Sequence, residues 1–262
     1  TGGAATNGAQ YYNSFLQQYR CYRDVAWETC GTTPIERAYV LEAEFFSGYA
    51  TCGATKALVG TQNWQCNVST SATVAYNNGT VVPSADHPGI LHITTGGGNG
   101  NGTTLALNGG TNGSMIIDDS NRVLATAGVG ATIANARLRV GLHSEAASNV
   151  RPVSGVWWEA DSSTNANWQY CYGNGTTATC AATAVAVAAN TLVSLDIQVT
   201  ATGTGASAAT FRINGTAFTV TGVTIDTTNR VSPAISCFNS TAAARECYID
   251  YFKFTGVANA RR

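Results

Sequence analysis

The sequence is poor in charge: Asp, Glu, Lys and Arg make up 11% of its 262 residues, and the formal net charge is −1. Typical globular domains carry about 25% charged residues, so Thr, Ser, Asn and Gly must hydrate much of this surface. A nearly neutral chain has no electrostatic attraction for nucleic acid or for an anionic membrane. No apolar run approaches the roughly 20 residues of a membrane-spanning helix. We therefore predict neither a nucleic-acid nor a membrane partner.

Metal-binding and phosphate-binding patterns are lacking as well. The chain has three histidines, and no two cysteines show the C-x2-C spacing of a zinc site. The glycine-rich segment 96–102 is not followed by the Lys-Ser/Thr of a phosphate loop. Residues 118–121 could supply oxygen ligands to calcium, although a polar hairpin tip explains them more simply. The sequence predicts no metal and no cofactor.

Cysteine is frequent, and its eight residues fall into four pairs of close neighbours along the chain. The pairs are Cys21/Cys30, Cys52/Cys66, Cys171/Cys180 and Cys237/Cys247. We predict four local disulfides and an oxidising environment. Each bond closes a short loop and contributes roughly 2–3 kcal/mol. The alternative is a set of buried free thiols.

The strongest pattern is an alternation of side chains with the period of two that is typical of β-strands. It is clearest in residues 155–161, 167–172 and 192–200. Asn214-Gly215 between two such segments is a hairpin signal. About a dozen short strands separated by Gly, Asn and Thr predict an all-β fold, an antiparallel jelly-roll sandwich of two sheets. We place this domain at residues 36–255.

Residues 1–35 form a separate N-terminal arm in this interpretation. Five apolar and aromatic residues recur there at helical spacing: Tyr12, Phe15, Leu16, Tyr19 and Tyr22. The spacing fits one short helix, and it fits equally well an arm that packs irregularly on its own domain. Such an arm could also contact a neighbouring subunit. Residues 256–262 end on two arginines and are predicted to be an exposed basic tail.

Two groups of aromatic and polar side chains are candidates for carbohydrate binding. Sugar rings stack on flat aromatic side chains, while carboxylates and amides bind their hydroxyls. Trp157, Glu159 and Asp161 share one strand face, and Trp168, Tyr170 and Tyr172 share another. Each group would serve as a binding site if its face is exposed. The alternative is aromatic packing between the two sheets.

Catalysis is the weaker interpretation of the same carboxylates. Glycoside hydrolysis needs two carboxylates about 5–9.5 Å apart, and Glu159 and Asp161 are two residues apart on one strand. Jelly-roll glycosidases of the laminarinase type carry Glu-x-Asp-x-x-Glu, but Thr164 stands in place of the last Glu here. No Gly-x-Ser-x-Gly elbow is present either. We predict no catalytic residues.

The order of the motifs along the chain resembles a known domain. The series runs Asp86-His-Pro-Gly-Ile, Thr94-Thr-Gly, Arg139-Val-Gly-Leu, Gly155-Val-Trp-Trp-Glu, Asn167-Trp-Gln, Thr183-Ala-Val-Ala-Val, Leu195-Asp-Ile, Phe211-Arg-Ile-Asn-Gly-Thr, Ala244-Arg and Tyr248-Ile-Asp-Tyr-Phe. It is similar to the concanavalin-like β-jelly-roll of tailed-bacteriophage virion proteins, found in tail fibres and head decorations. The resemblance covers roughly residues 37–255.

The resemblance implies a non-enzymatic structural protein of a virion, used for capsid decoration or tail-fibre adhesion. Its implied partners are other virion proteins, copies of itself and a host-surface glycan. Two other functions remain open from the residues. One is a secreted carbohydrate-binding module or glycosidase-like jelly roll, and the other is a subunit of an extracellular filament.

Overall fold

The structure is a computed structural model that describes residues 10–13, 18–23, 26–29, 37–44, 57–59, 64–69, 71–76, 89–107, 115–144, 150–203 and 205–258. Side chains are described for 64–69, 71–75, 89–107, 115–144, 150–203 and 205–256. The predicted fold class is confirmed, because every regular element in the described ranges is a β-strand. No helix in those ranges is long and apolar enough to cross a membrane.

The strands follow one another in the order β1 (Gln10–Asn13), β2 (Gln18–Arg23), β3 (Ala26–Thr29), β4 (Arg37–Glu44), β5 (Ala57–Val59), β6 (Trp64–Val68), β7 (Thr73–Tyr76), β8 (Leu91–Thr94), β9 (Gly102–Leu107), β10 (Arg122–Val129), β11 (Ala136–His143), β12 (Ser154–Asp161), β13 (Asn167–Asn174), β14 (Ala178–Ala186), β15 (Val193–Ala201), β16 (Ser207–Ile213), β17 (Thr216–Val223), β18 (Ser232–Asn239) and β19 (Glu246–Ala258).

The chain divides into two compact units. Thr1–Tyr39 and Val257–Arg262 make up the first, and Val40–Gly256 makes up the second. The first contains a three-stranded antiparallel sheet, β1-β2-β3. The helix predicted from the spacing of Tyr12, Tyr19 and Tyr22 is therefore wrong, since these residues lie in β1 and β2, with Tyr12 paired with Tyr19. Aromatic residues favour strands, and over so short a segment a helical spacing is ambiguous. Phe15 and Leu16 lie outside the described residues.

The second unit is a sandwich of two antiparallel sheets. The β10 sheet has the order β17-β16-β15-β10-β19-β8-β7, with β4 paired to β19. The β12 sheet has the order β14-β13-β12-β11-β18-β9-β6-β5. In β15 the predicted alternation holds, with Val193, Leu195, Ile197 and Val199 in the core.

Aromatic rings fill the core where the two sheets face each other. Trp158 and Tyr170 come from the β12 sheet, and Phe211 and Phe218 come from the β10 sheet. The indole of Trp158 also donates a 3.1 Å hydrogen bond to the Asp196 carbonyl on the opposite sheet. Each such ring removes 150–250 Å² of surface from water, so this cluster is a main source of stability for the sandwich.

Two of the four predicted disulfides are confirmed, and they have different positions. Cys237–Cys247 joins β18 to β19 through the core and so links the two sheets. Cys171–Cys180 joins two directly paired residues of the β13–β14 hairpin. One bond therefore holds the two layers together, and the other closes a hairpin within one layer.

The other two predicted disulfides are not confirmed by the described residues. Cys66 is disulfide-bonded, but its predicted partner Cys52 lies outside the described residues. Cys30 also lies outside them, and of Cys21 the structure describes the backbone in β2 without the side chain. The pairings Cys21–Cys30 and Cys52–Cys66 therefore stay predictions.

Glycine is required at two positions, Gly215 in a tight turn and Gly155 inside a strand. Asn214 and Gly215 have φ of 49° and 84°, which confirms the predicted hairpin turn between β16 and β17, because this turn type needs positive φ at both central residues. Gly155 has φ of 128° and lies inside β12, where an added Cβ would be 2.6 Å from the Cα of His143 on β11. Gly155 therefore combines an unusual dihedral with close packing against the neighbouring strand.

We expect Gly155→Ala to lower the free energy of unfolding by about 3 kcal/mol or more, because it adds backbone strain and a steric clash inside a sheet. Gly215→Ala is the matched control. It has the strain alone, since nothing lies within 4 Å of an added Cβ, and it should cost about 1–2 kcal/mol. Urea unfolding of both variants measures the difference, and equal losses would contradict the described packing at Gly155.

Candidate functional site

The face of the β12 sheet that points away from the core carries an unusual set of polar side chains. We call it the outer face. Cross-strand pairing brings one residue from each of six neighbouring strands into a single line. This line, which we call the polar row, consists of Asn67 (β6), Thr104 (β9), Ser236 (β18), Arg139 (β11), Glu159 (β12) and Gln169 (β13). It presents amide, hydroxyl, guanidinium and carboxylate groups side by side.

Glu159 lies at the centre of the charged part of this row. Its Oε2 accepts a 2.8 Å hydrogen bond from Nε of Arg139 and a 3.3 Å bond from the indole of Trp157. Its Oε1 accepts a 2.7 Å bond from Nε of Arg151. Glu159, Arg139 and Trp157 are 0% exposed. One buried carboxylate thus holds two guanidinium groups.

The electrostatics of this cluster are set by burial and by the opposite charges. Burial by itself raises the pKa of Glu159, but the two guanidinium groups outweigh it and hold that pKa below its ordinary value. Burial lowers the pKa of Arg139, and Glu159 opposes that shift. The carboxylate is therefore ionised at neutral pH, so the cluster is a true ion-pair network.

Two residues of the connection between β11 and β12, Val150 and Arg151, contact the polar row. Arg139 donates a 2.8 Å hydrogen bond from Nη1 to the carbonyl of Val150. The next residue, Arg151, reaches Glu159 and also donates from Nη2 to Oε1 of Gln169 at 3.1 Å. Three side chains of the row, those of Arg139, Glu159 and Gln169, thus bind residues 150 and 151.

Asp161 lies on the same face and has a structural role. It binds Arg137 at 2.7 Å and caps the turn after β12 by accepting from the backbone N–H of Ser163 at 3.1 Å. Burial would raise its pKa, but the hydrogen bonds from Ser163 and the charge of Arg137 lower it overall. Asp161 therefore fixes the β12–β13 turn.

His143 supplies a buried polar atom without a partner. Its Nδ1 lies 3.1 Å from the carbonyl oxygen of Ser144, and its ring is 6.3 Å from that of Trp157. Its Nε2 has no hydrogen-bond partner among the residues that the structure describes. Burial lowers the pKa of His143 to about 4, so the ring is neutral at pH 7 and Nε2 is a buried acceptor without a described donor.

The structure separates the two groups proposed from the sequence for carbohydrate binding. Trp157, Glu159 and Asp161 do share the outer face, but all three are buried. Trp168 is buried in the core cluster, and Tyr170 and Tyr172 pack against it. Neither group is an exposed platform here, and the second has the alternative role of packing between the sheets.

Sequence reasoning missed the positions of Arg151, Thr104, Ser236 and His143. The alternation of Arg137 and Arg139 in β11 was a usable signal, because it places two cations on the face that carries Glu159 and Asp161. No comparable signal marks Arg151, which lies in a connection.

Two clusters resemble metal sites, but their contacts fit structural roles. A carboxylate oxygen of Glu159 and the sulfurs of Cys171 and Cys180 lie within 4.8 Å of one another, but the sulfurs are bonded to each other and offer no thiolate. Asp118 accepts from the Ser120 and Asn121 side chains. Those contacts are typical of a polar turn, and this one lies directly before β10; the predicted hairpin tip is not seen there, because β10 pairs with β15 and β19.

We expect Glu159→Gln to destabilise the fold by about 3–5 kcal/mol, because it leaves buried guanidinium charge without its counterion. Asp196→Asn is the matched control. Asp196 on the β10 sheet also holds two arginines, Arg122 and Arg212, at 3.0 and 3.1 Å, but their side chains are 45% and 36% exposed. This change should cost about 1 kcal/mol or less. Denaturant unfolding of the two variants compares them, and similar losses would contradict a desolvated pair at Glu159.

We expect the stability of the protein to fall as the pH drops from 7 to 5. The folded imidazole of His143 titrates at about 4 and the unfolded one at 6.5, so the unfolded chain binds more protons between these values. This difference in proton binding lowers the free energy of unfolding by about 2 kcal/mol between pH 7 and pH 5. His143→Gln should remove most of this decrease in urea titrations at the two pH values. An unchanged pH dependence in the variant would show that His143 is not the group responsible.

Comparison with known proteins supports the fold. No protein family matches the sequence, and no curated protein is detectably similar to it. Among solved structures, the chain is similar to a protein of unknown function from Shewanella oneidensis MR-1, with 14% identity and a TM-score of 0.60 over 86% of this chain and 89% of that one. It is similar to an endo-beta-1,4-glucuronan lyase from the fungus Trichoderma reesei, with 10% identity and a TM-score of 0.53 over 82% and 97%. It is also similar to the cellulose-induced protein Cip1, with 11% identity and a TM-score of 0.51 over 82% and 96%. At these identities the likeness establishes the two-sheet antiparallel sandwich alone.

Proposed function

We propose that this protein is a carbohydrate-binding jelly roll whose ligand lies along the polar row of the outer face. The observation that carries the proposal is the burial of charged and polar side chains on a sheet face that points away from the core. A covered sheet face that served packing alone would be apolar, since burying charge is unfavourable unless it is paired. Departures of this kind concentrate at functional sites.

The chemistry of the row suits a polyhydroxylated ligand. Hydroxyl groups donate to carboxylate and amide oxygens and accept from guanidinium and amide N–H groups. Thr104 and Ser236 contribute hydroxyls 3.1 Å apart, and Gln169 contributes an amide. Trp157 and the unpartnered Nε2 of His143 lie beside the row. A chain of sugar units would meet a polar group on each strand it crosses.

Access to the row involves the connection between β11 and β12. Val150 and Arg151, two residues of that connection, contact Arg139, Glu159 and Gln169 of the row. They therefore border the row, and a ligand along it would lie against them.

The comparisons favour a carbohydrate ligand over the virion function implied by the sequence resemblance. Two of the similar structures are a glucuronan lyase and a cellulose-induced protein, and we infer a glycan ligand by analogy of fold. We propose binding without turnover. The virion location, the contacts with copies of itself and the glycan of a host surface stay predictions, and adhesion to such a glycan would use the same row.

We expect the protein to bind at least one soluble glycan in affinity electrophoresis against β-glucans, xylan, mannan and polyuronates. Gln169→Ala should weaken that binding by about tenfold, because it removes a hydrogen-bonding group of the row. Gln198→Ala is the matched control, since Gln198 lies on β15 of the other sheet and should bind like the unmodified protein. Binding to no glycan, or equal weakening by both variants, would refute the proposal.

A further inference from the structure

The outer face carries more positive than negative charge among its described residues. Arg137, Arg139 and Arg151 contribute three guanidinium groups, whereas Glu159 and Asp161 contribute two carboxylates. Among the described residues, Arg137 pairs with Asp161, and Arg139 and Arg151 both pair with Glu159. His143 adds no charge at pH 7, because burial depresses its pKa.

Arg151 is the member of this network that a ligand can reach. Its side chain is 33% exposed, whereas those of Arg139 and Glu159 are 0% exposed. Nε binds Glu159, and Nη2 binds Gln169 at 3.1 Å and Thr164 at 3.4 Å. Nη1 has no hydrogen-bond partner among the described residues. Both N–H groups of Nη1 are therefore open to another acceptor, and the long 3.4 Å bond from Nη2 to Thr164 is the one that a planar acceptor would replace to pair with both nitrogens.

A carboxylate is the group that fits this edge. Guanidinium and carboxylate are both planar, and they form paired, charge-assisted hydrogen bonds. The other side of Arg151 already holds the carboxylate of Glu159 through Nε. A second carboxylate on the Nη edge would give Glu159 and the ligand together two negative charges for the two guanidinium groups of Arg139 and Arg151.

The β10 sheet shows why this position differs from other shared arginines. Arg122 and Arg212 also share one carboxylate, that of Asp196. Arg212 is 36% exposed, close to the 33% of Arg151, but its companion Arg122 is 45% exposed, whereas Arg139, the companion of Arg151, is 0% exposed. Water and salt therefore screen the charges around Asp196 more than those around Glu159. Arg151 lies instead beside a dry polar row, where the same charge acts more strongly.

Building on the proposed function, we infer that the ligand is an acidic polysaccharide whose uronate carboxylates bind Arg151 at the end of the polar row. Arg151 then determines specificity for charge, while the rest of the row binds hydroxyls. Its hold on Glu159 and Gln169 keeps the guanidinium oriented before the ligand arrives.

The test uses polyglucuronate, polygalacturonate and alginate, each compared with its carboxyl-methylated form. We expect the full chain to bind at least one polyuronate about tenfold or more tightly than its methyl ester, and to bind it less tightly as salt increases. Arg151→Gln should remove most of this preference, and Arg151→Lys should keep part of it, because lysine retains the charge but not the paired geometry. Arg212→Gln is the matched control and should behave like the unmodified protein.

The outcomes separate this inference from the proposed function. Equal binding of polyuronate and methyl ester, or binding of neutral glycans only, would overturn the inference and leave the carbohydrate proposal standing. A preference that survives Arg151→Gln in a protein with unchanged circular dichroism would overturn the role of Arg151. Equal affinity for dextran sulfate would overturn the requirement for a carboxylate. Binding of no glycan at all would refute the proposed function itself.

Discussion

The structure depends on one constraint: β12 has two faces, and both are buried. Alternation along a strand sends successive side chains to opposite sides of the sheet. One side of β12 contributes Trp158 to the aromatic core, where apolar burial stabilises the contact between the sheets. The other side contributes Glu159, which cannot lose its water without partners. The positions of Arg139 and Arg151 follow from that requirement.

The parts of the fold that follow from local sequence could be predicted. The alternation in β15, the Asn214-Gly215 turn and the Cys171/Cys180 pair each involve residues close together in the chain, where geometry leaves few alternatives. The N-terminal helix was predicted wrongly because a few aromatic residues at intervals of three or four fit a helix and a hairpin equally well. The structure has a hairpin there, because β1 pairs with β2 in an antiparallel arrangement.

The candidate site could be predicted only in part. Its sequence signal was that Trp157, Glu159 and Asp161 share a face, and they do. Whether that face is exposed depends on distant segments of chain. Thr104 and Ser236 are 132 residues apart and become neighbours only through the register of β9 with β18. Arg151 lies in a connection, and no period fixes the position of such a residue.

A β-sandwich does not by itself specify a function, but its two sheets differ in how they surround charged side chains. Each sheet places two arginines on one carboxylate. On the β10 sheet Asp196 is 10% exposed, but both of its arginines reach water, so we expect these ion pairs to contribute little to the stability of the fold. On the β12 sheet the carboxylate and one arginine are desolvated, so the charge of the second arginine is screened less there. The same three side-chain types thus form a partly hydrated contact on one sheet and, in the site we propose, a charge-selective anchor on the other, and burial distinguishes the two.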